Sequence, residues 1–147
     1  MRLTTFSDYT LRVLIYLALE RSELVTIPVI AAAYGISENH LKKVVHQLAR
    51  AGMVETLRGK GGGIRLAVPP EKIRLGEIVR SAEGAAPIVE CLGENESDCC
   101  IAPACRLSGI LVRAFAALYD VLDDYTLADL VGNRRVLKQA LVRAQPN

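Results

Sequence analysis

Four cysteines, Cys91, Cys99, Cys100 and Cys105, fall within fifteen residues of a 147-residue chain. Thiols this dense can bind a soft metal, cycle between redox states or pair as disulfides. Disulfides are a poor explanation in a chain with no export signal, which by default is cytoplasmic. A zinc knuckle places its cysteines in Cys-x2-Cys pairs, and no such pair is present. Cys99 and Cys100 are neighbours, an awkward geometry for two ligands on one metal. That leaves Cys91, Cys99 and Cys105 as three well-spaced thiolates, with Cys100 as a spare. Thiolates on a loop containing Gly93 and Pro103 suit an iron–sulfur cluster. A four-iron cluster needs a fourth ligand from elsewhere. Zinc, redox-active thiols and inert thiols stay open on the residues alone.

A second constellation is basic. From the cap Ser37 to Ala51 the spacing predicts a helix that buries Leu41, Val44, Val45 and Leu48 and ends at Gly52. Asn39, Lys42, Lys43, His46 and Arg50 form the opposite stripe, a row of donors for phosphates and base edges. The first turns of such a helix enter the major groove, which selects Ser37, Asn39, His40, Lys42 and Lys43 as DNA-binding candidates. Two β-like runs follow, Met53 to Leu57 and Gly63 to Ala67, joined by a glycine-rich basic tip. A hairpin placed there is a wing, and Arg58, Lys60 and Arg65 on it would meet phosphates or a minor groove. The bland alternative is a solvated basic helix beside an ordinary hairpin.

The remaining elements position these two groups. A helix from Ser7 to Glu20, capped by Ser7 or Asp8, buries Leu11, Leu14, Ile15 and Ala18. A short helix runs from Thr26 to Gly35, and the three-residue join to the next helix is that of a helix-turn-helix. Leu75, Ile78, Val79 and Ala82 mark another helix, and no period is evident from Ala85 to Cys105. Leu107, Ile110, Leu111, Ala114, Leu118, Val121 and Leu122 then trace a long apolar stripe. Thr126 and Asp129 form a capping box, and Asn133 to Ala144 is a last helix. The fold class is therefore mainly α with a small β wing. The chain divides into a winged helix-turn-helix (1–74), a short helix and cysteine loop (75–105), and a long helix with C-terminal helices (106–147).

Composition agrees with this reading. Apolar residues make up 51% and aromatics 5%, with no Trp, as in an aliphatic helical core. Residues 1–74 hold eleven Lys/Arg against six Asp/Glu, and residues 75–147 seven against ten. The front half thus favours a polyanionic partner, while Glu83, Glu90, Glu94, Glu96 and Asp98 keep the middle acidic. The apolar run Val13 to Leu19 is far below the ~20 residues of a membrane span. Both histidines, His40 and His46, lie on the basic helix, and the glycines from 59 to 63 lack the setting of a phosphate loop. An enzyme is not expected.

The stretches 2–16, 37–52, 58–66, 103–107 and 124–130 resemble the family of winged-helix iron–sulfur repressors that holds nitric-oxide sensors and regulators of cluster assembly. The likeness spans residues 1 to about 131. It implies a homodimer with swapped helices, a dimerisation helix over 106–124, and double-stranded operator DNA as partner. It also implies a 4Fe–4S cluster, or alternatively 2Fe–2S, on Cys91, Cys99 and Cys105, with Asp8 of the other subunit as fourth ligand. Without the resemblance, Asp8 is simply an acid favoured by a helix N-terminus. The cluster-assembly branch carries a histidine where this chain has Ser108, which favours nitric oxide as the signal. The alternative is an iron- or redox-responsive regulator of iron homeostasis or cluster assembly.

Overall fold

The structure, a computed structural model, describes residues 2–84, 87, 89–93 and 99–143. Glu94, Glu96, Asp98 and Ala144 lie outside the described residues.

Helix α1 spans Thr5–Leu19. Its N-cap is Thr4, whose hydroxyl accepts from the Ser7 N–H at 3.2 Å. This corrects the expected cap at Ser7 or Asp8: the helix begins earlier, so Ser7 is buried inside it and Asp8 sits in the first turn. Val13, Leu14, Leu17 and Ala18 face the core. Helix α2, Ile27–Tyr34, tolerates Pro28 in its first turn, where the missing N–H would have no helical partner. It ends at Gly35, whose φ of +64° is left-handed and open to glycine at no steric cost. Helix α3, Glu38–Arg50, follows directly and buries Leu41, Val44, Val45 and Leu48 as the spacing predicts.

Strands β1, Val54–Leu57, and β2, Gly63–Leu66, pair antiparallel with Val54 opposite Leu66 and Leu57 opposite Gly63. A contact that the sequence pattern did not announce completes this wing. Val25, before α2, bridges Ile64 through two backbone hydrogen bonds of 3.0 and 2.7 Å. The close approach requires Gly63, because a Cβ there would lie 2.9 Å from the Val25 carbonyl oxygen.

Helix α4, Leu75–Glu83, leads to a segment with two short 3-10 turns, Glu90–Leu92 and Ala102–Ala104. Helix α5 is Leu107–Asp123, α6 is Leu127–Leu130 and α7 is Arg134–Arg143. The expected capping box is present: Asp129 accepts from the Thr126 N–H at 2.7 Å and its hydroxyl at 2.8 Å. The chain returns after α5 because Leu75 N–H bonds the Tyr125 carbonyl and Leu127 N–H bonds the Ile73 carbonyl. Leu127 and Val131 thereby enter the same core as α1, α3 and α4. Helix α7 folds back further: Lys138 pairs with Glu20 at 2.7 Å, Arg134 bonds the Leu19 carbonyl, and Leu137 and Leu141 pack on the core. The mainly α fold with a small β wing is as expected. No helix among the described residues is long and apolar enough to cross a membrane.

Candidate nucleic-acid interface and cysteine segment

Burial of one face of α3 leaves Asn39, Lys42, Lys43, His46 and Arg50 exposed together on the other. Ser37 is exposed at the N-cap and makes no capping hydrogen bond, so its hydroxyl stays available to an incoming acceptor. The His40 ring lies 6.0 Å from that of Tyr9 on α1. One acid intrudes: Glu38 reaches Lys42 at 3.8 Å, an i,i+4 pair that the stripe alone did not reveal. An open groove runs along α3 beside Phe6, lined by Lys43, His46 and Arg50.

The wing carries its cations unequally. Gly59 and Gly61 have φ of +101° and +81°, so the tip turns where other residues would be strained. Arg58 and Lys60 are exposed there and form no ion pair among the described residues. Arg65 differs, since it stands opposite Glu55 in the register and its guanidinium bonds that carboxylate.

The cysteine segment joins α4 to α5. Cys91 lies in the first 3-10 turn, Cys105 closes the second, and Cys99 precedes it. Cys91, Cys99 and Cys105 are half-buried, Cys100 is exposed, and no disulfide joins them. Three partly accessible thiols on one short segment suit a thiophilic iron–sulfur group as a donor set. Among the described residues, no three His, Cys, Asp or Glu side chains gather closely enough to hold a metal ion within this one chain.

Asp8 lies apart from these thiols in sequence and is held on α1. Arg12 grips both its oxygens, Nε to Oδ1 and Nη2 to Oδ2, each at 3.0 Å. The i,i+4 spacing of Asp8 and Arg12 is a sequence signal for this pair. The Arg12 guanidinium also sits 5.7 Å from the ring centre of Tyr34, at the end of α2. Burial pushes the Tyr34 hydroxyl up to about 12, against a smaller opposing effect of Arg12, so this ring stays neutral beside the cation.

Residues 3–133 match the profile of the Rrf2 family, described as iron-dependent transcriptional regulators. The chain belongs to the Rrf2 family. As an Rrf2 chain it is 51% identical over 142 residues to the HTH-type transcriptional regulator NsrR of Bacillus subtilis, covering 96% of this chain and 97% of that one. It is 46% identical to the regulator of the same name from Shouchella clausii, covering 96% and 95%. Among solved structures, it superposes on the global cysteine regulator CymR of B. subtilis with a TM-score of 0.71 at 31% identity, covering 90% of this chain and 97% of that one. It also superposes on T. potens IscR with a TM-score of 0.72 at 26% identity, covering 90% and 88%. This Rrf2 member is therefore a transcriptional regulator with DNA as its partner, and not an enzyme. The family resemblance read from the sequence is borne out by these relatives, among them regulators named NsrR and a structure named IscR.

Proposed function

We propose that this regulator is a homodimeric repressor whose grip on operator DNA depends on an iron–sulfur cluster and is released by nitric oxide. The observation that carries the reading is the set of half-buried thiols Cys91, Cys99 and Cys105 on the segment joining α4 to α5. The high identity to regulators named NsrR supports the same reading. Cys91, Cys99 and Cys105 would hold a 4Fe–4S cluster, and Asp8 of a second copy would complete the set. Bound there, the cluster would supply irons that react with nitric oxide.

The chain's own residues account for the rest. Ser37, Asn39, His40, Lys42 and Lys43 would read a major groove, while Arg58, Lys60 and Arg65 on the wing would hold the backbone. Of these, Arg65 has Glu55 as a competing partner, so Arg58 and Lys60 would contribute more. Helix α5 supports a dimer. Its seventeen residues include none that is buried in this chain, and Leu107, Ile110, Val112 and Val121 are each more than half exposed. An apolar helix this long calls for a partner helix. Two such modules side by side suit a palindromic operator. Residues 1–74 would form the DNA-binding unit, 75–105 the cofactor loop and 106–147 the dimerising part.

Asp8 would need to leave Arg12 to act as a ligand, and Arg12 leans on Tyr34 beside the turn of the helix-turn-helix. Ligation at Asp8 would thus be felt where α2 meets α3. The test is anaerobic purification followed by operator-binding titrations with nitric oxide and, separately, with an iron chelator. Release at a few equivalents of nitric oxide is expected. Release by chelator with indifference to nitric oxide would replace this reading with an iron-responsive one.

A further inference from the structure

The last turn of α4 is bonded on both sides to the DNA-binding body. On one side, the Gln47 Nε2 of α3 donates to the Ser81 carbonyl at 3.1 Å. That carbonyl is among the last four of α4, which find no acceptor role inside the helix. On the other side, the Glu83 carboxylate accepts from the Thr4 N–H at 2.8 Å, from the Thr4 hydroxyl at 3.1 Å and from the Ser7 hydroxyl. Ser7 is fully buried while Thr4 is exposed and Glu83 half-buried, so the contact seats the carboxylate at the edge of the packed interior. Between the two anchors, Phe6, Gln47 and Ser81 line one small gap. Directly beyond Glu83, Gly84 has a φ of +73°, and Cys91 follows seven residues later in the chain.

We propose that Gln47 and Glu83 are positioning residues for DNA binding, which tie the recognition helix and the start of α1 to the segment that carries the cysteines. This rests on the reading that the cysteine segment controls operator binding. The physical reason is connectivity. Along the covalent chain, the last turn of α4 is the nearest helical turn among the described residues before the cysteine segment, and so the first such turn that a displacement of it would reach. That turn cannot shift alone without breaking the hydrogen bond from Gln47 to the Ser81 carbonyl and the three hydrogen bonds at Glu83. With them intact, α3 and the first turn of α1 move along with it. Without them, α4 slides past α3 on apolar contacts that have no direction. Gln47 therefore acts through Ser81 and α4, and Glu83 through Thr4 and Ser7.

The experiment uses the full-length protein, cluster-loaded and metal-stripped, and a duplex selected by the loaded wild type from a random-sequence library. The affinity ratio between the two states is measured for wild type, Gln47→Leu, Glu83→Ala and Glu83→Gln. For wild type a ratio of about 5–150-fold is expected, the usual range of allosteric coupling. Gln47→Leu and Glu83→Ala are expected to bring it within about twofold of unity, with unchanged salt-dependent binding to random duplex. Glu83→Gln, which keeps an acceptor oxygen for Thr4 and Ser7, is expected to restore most of the ratio. If both affinities fall in parallel in Gln47→Leu and the ratio survives, Gln47 only touches DNA and the inference is overturned. If Glu83→Ala fails to fold, Gln47→Leu and Glu83→Gln still decide the matter. A wild type without any difference between its two states would instead sink the cluster-dependent reading itself.

Discussion

Gly76 on α4 lies directly against Asp123 at the end of α5: a Cβ at position 76 would stand 2.0 Å from Asp123 Oδ1. The aspartate cannot simply turn away, because Arg80 grips both its oxygens at 2.8 and 2.6 Å while stacking on Tyr119. Gly76→Ala should therefore break the Arg80 clamp or part the two helices. The ion pair is more than one-third exposed, so its own loss costs little. Adding the overpacking, about 1–2 kcal/mol of destabilisation is expected, read as a lower urea midpoint. An unchanged midpoint would mean that the α4–α5 contact is slack.

Basic residues should contribute to DNA affinity according to how free they are. Lys43→Ala, Arg58→Ala and Lys60→Ala are each expected to weaken binding across sequences and lower the salt slope by about one. Arg65→Ala should do less, since Glu55 already occupies its guanidinium. Fluorescence anisotropy over a salt series checks the order. An Arg65→Ala loss larger than that of Lys60→Ala would contradict it.

The three half-buried thiols should be separable from the exposed one. Cys91→Ser, Cys99→Ser and Cys105→Ser are each expected to abolish iron retention and thiolate-to-iron absorbance in anaerobic reconstitution. Cys100→Ser should leave both near wild type, because Cys100 is exposed where the other three are half-buried. Iron retained by Cys99→Ser but lost by Cys100→Ser would exchange their roles.

Acid should loosen two junctions. Hydrogen bonds from the Thr126 N–H and hydroxyl hold the Asp129 carboxyl below its ordinary value. At Glu83, burial pushes upward, but the bonds from Ser7 and Thr4 outweigh it and the net direction is down. A carboxyl depressed in the folded state stabilises fully above its unfolded pKa, about 4 for these groups, and this is lost as pH falls through the folded value. Stability should therefore decline more steeply below about pH 4 in wild type than in Asp129→Asn. Parallel acid curves from urea titrations would argue against the capping box as a contributor.

The bare face of α5 should set the assembly. Ile110→Glu places a charge where the side chain is 60% exposed in the single chain, so the isolated fold should tolerate it. Sedimentation is expected to turn from dimer to monomer, with operator affinity falling alongside. A dimer that survives the substitution would move the interface elsewhere.

Periodicity and punctuation determined much of this protein. The helix-turn-helix was legible because α3 must hide Leu41, Val44, Val45 and Leu48, and Gly35 can turn the chain left-handed at no cost. The wing was legible from its two short runs and glycine tip, and the capping box from Thr126 and Asp129. These are local effects, decided within a few residues by sterics and nearby hydrogen bonds.

Tertiary structure alone decided the partners that lie far apart in the chain. Val25 reaches Ile64 to finish the wing, Glu83 crosses 79 positions to seat on Thr4, and α7 returns to bond the end of α1. No spacing rule could reveal these, because each depends on which surfaces remain unpaired once the core has closed. A buried carbonyl, or a carboxylate at the edge of the core, then takes whatever donor the packing has brought within reach.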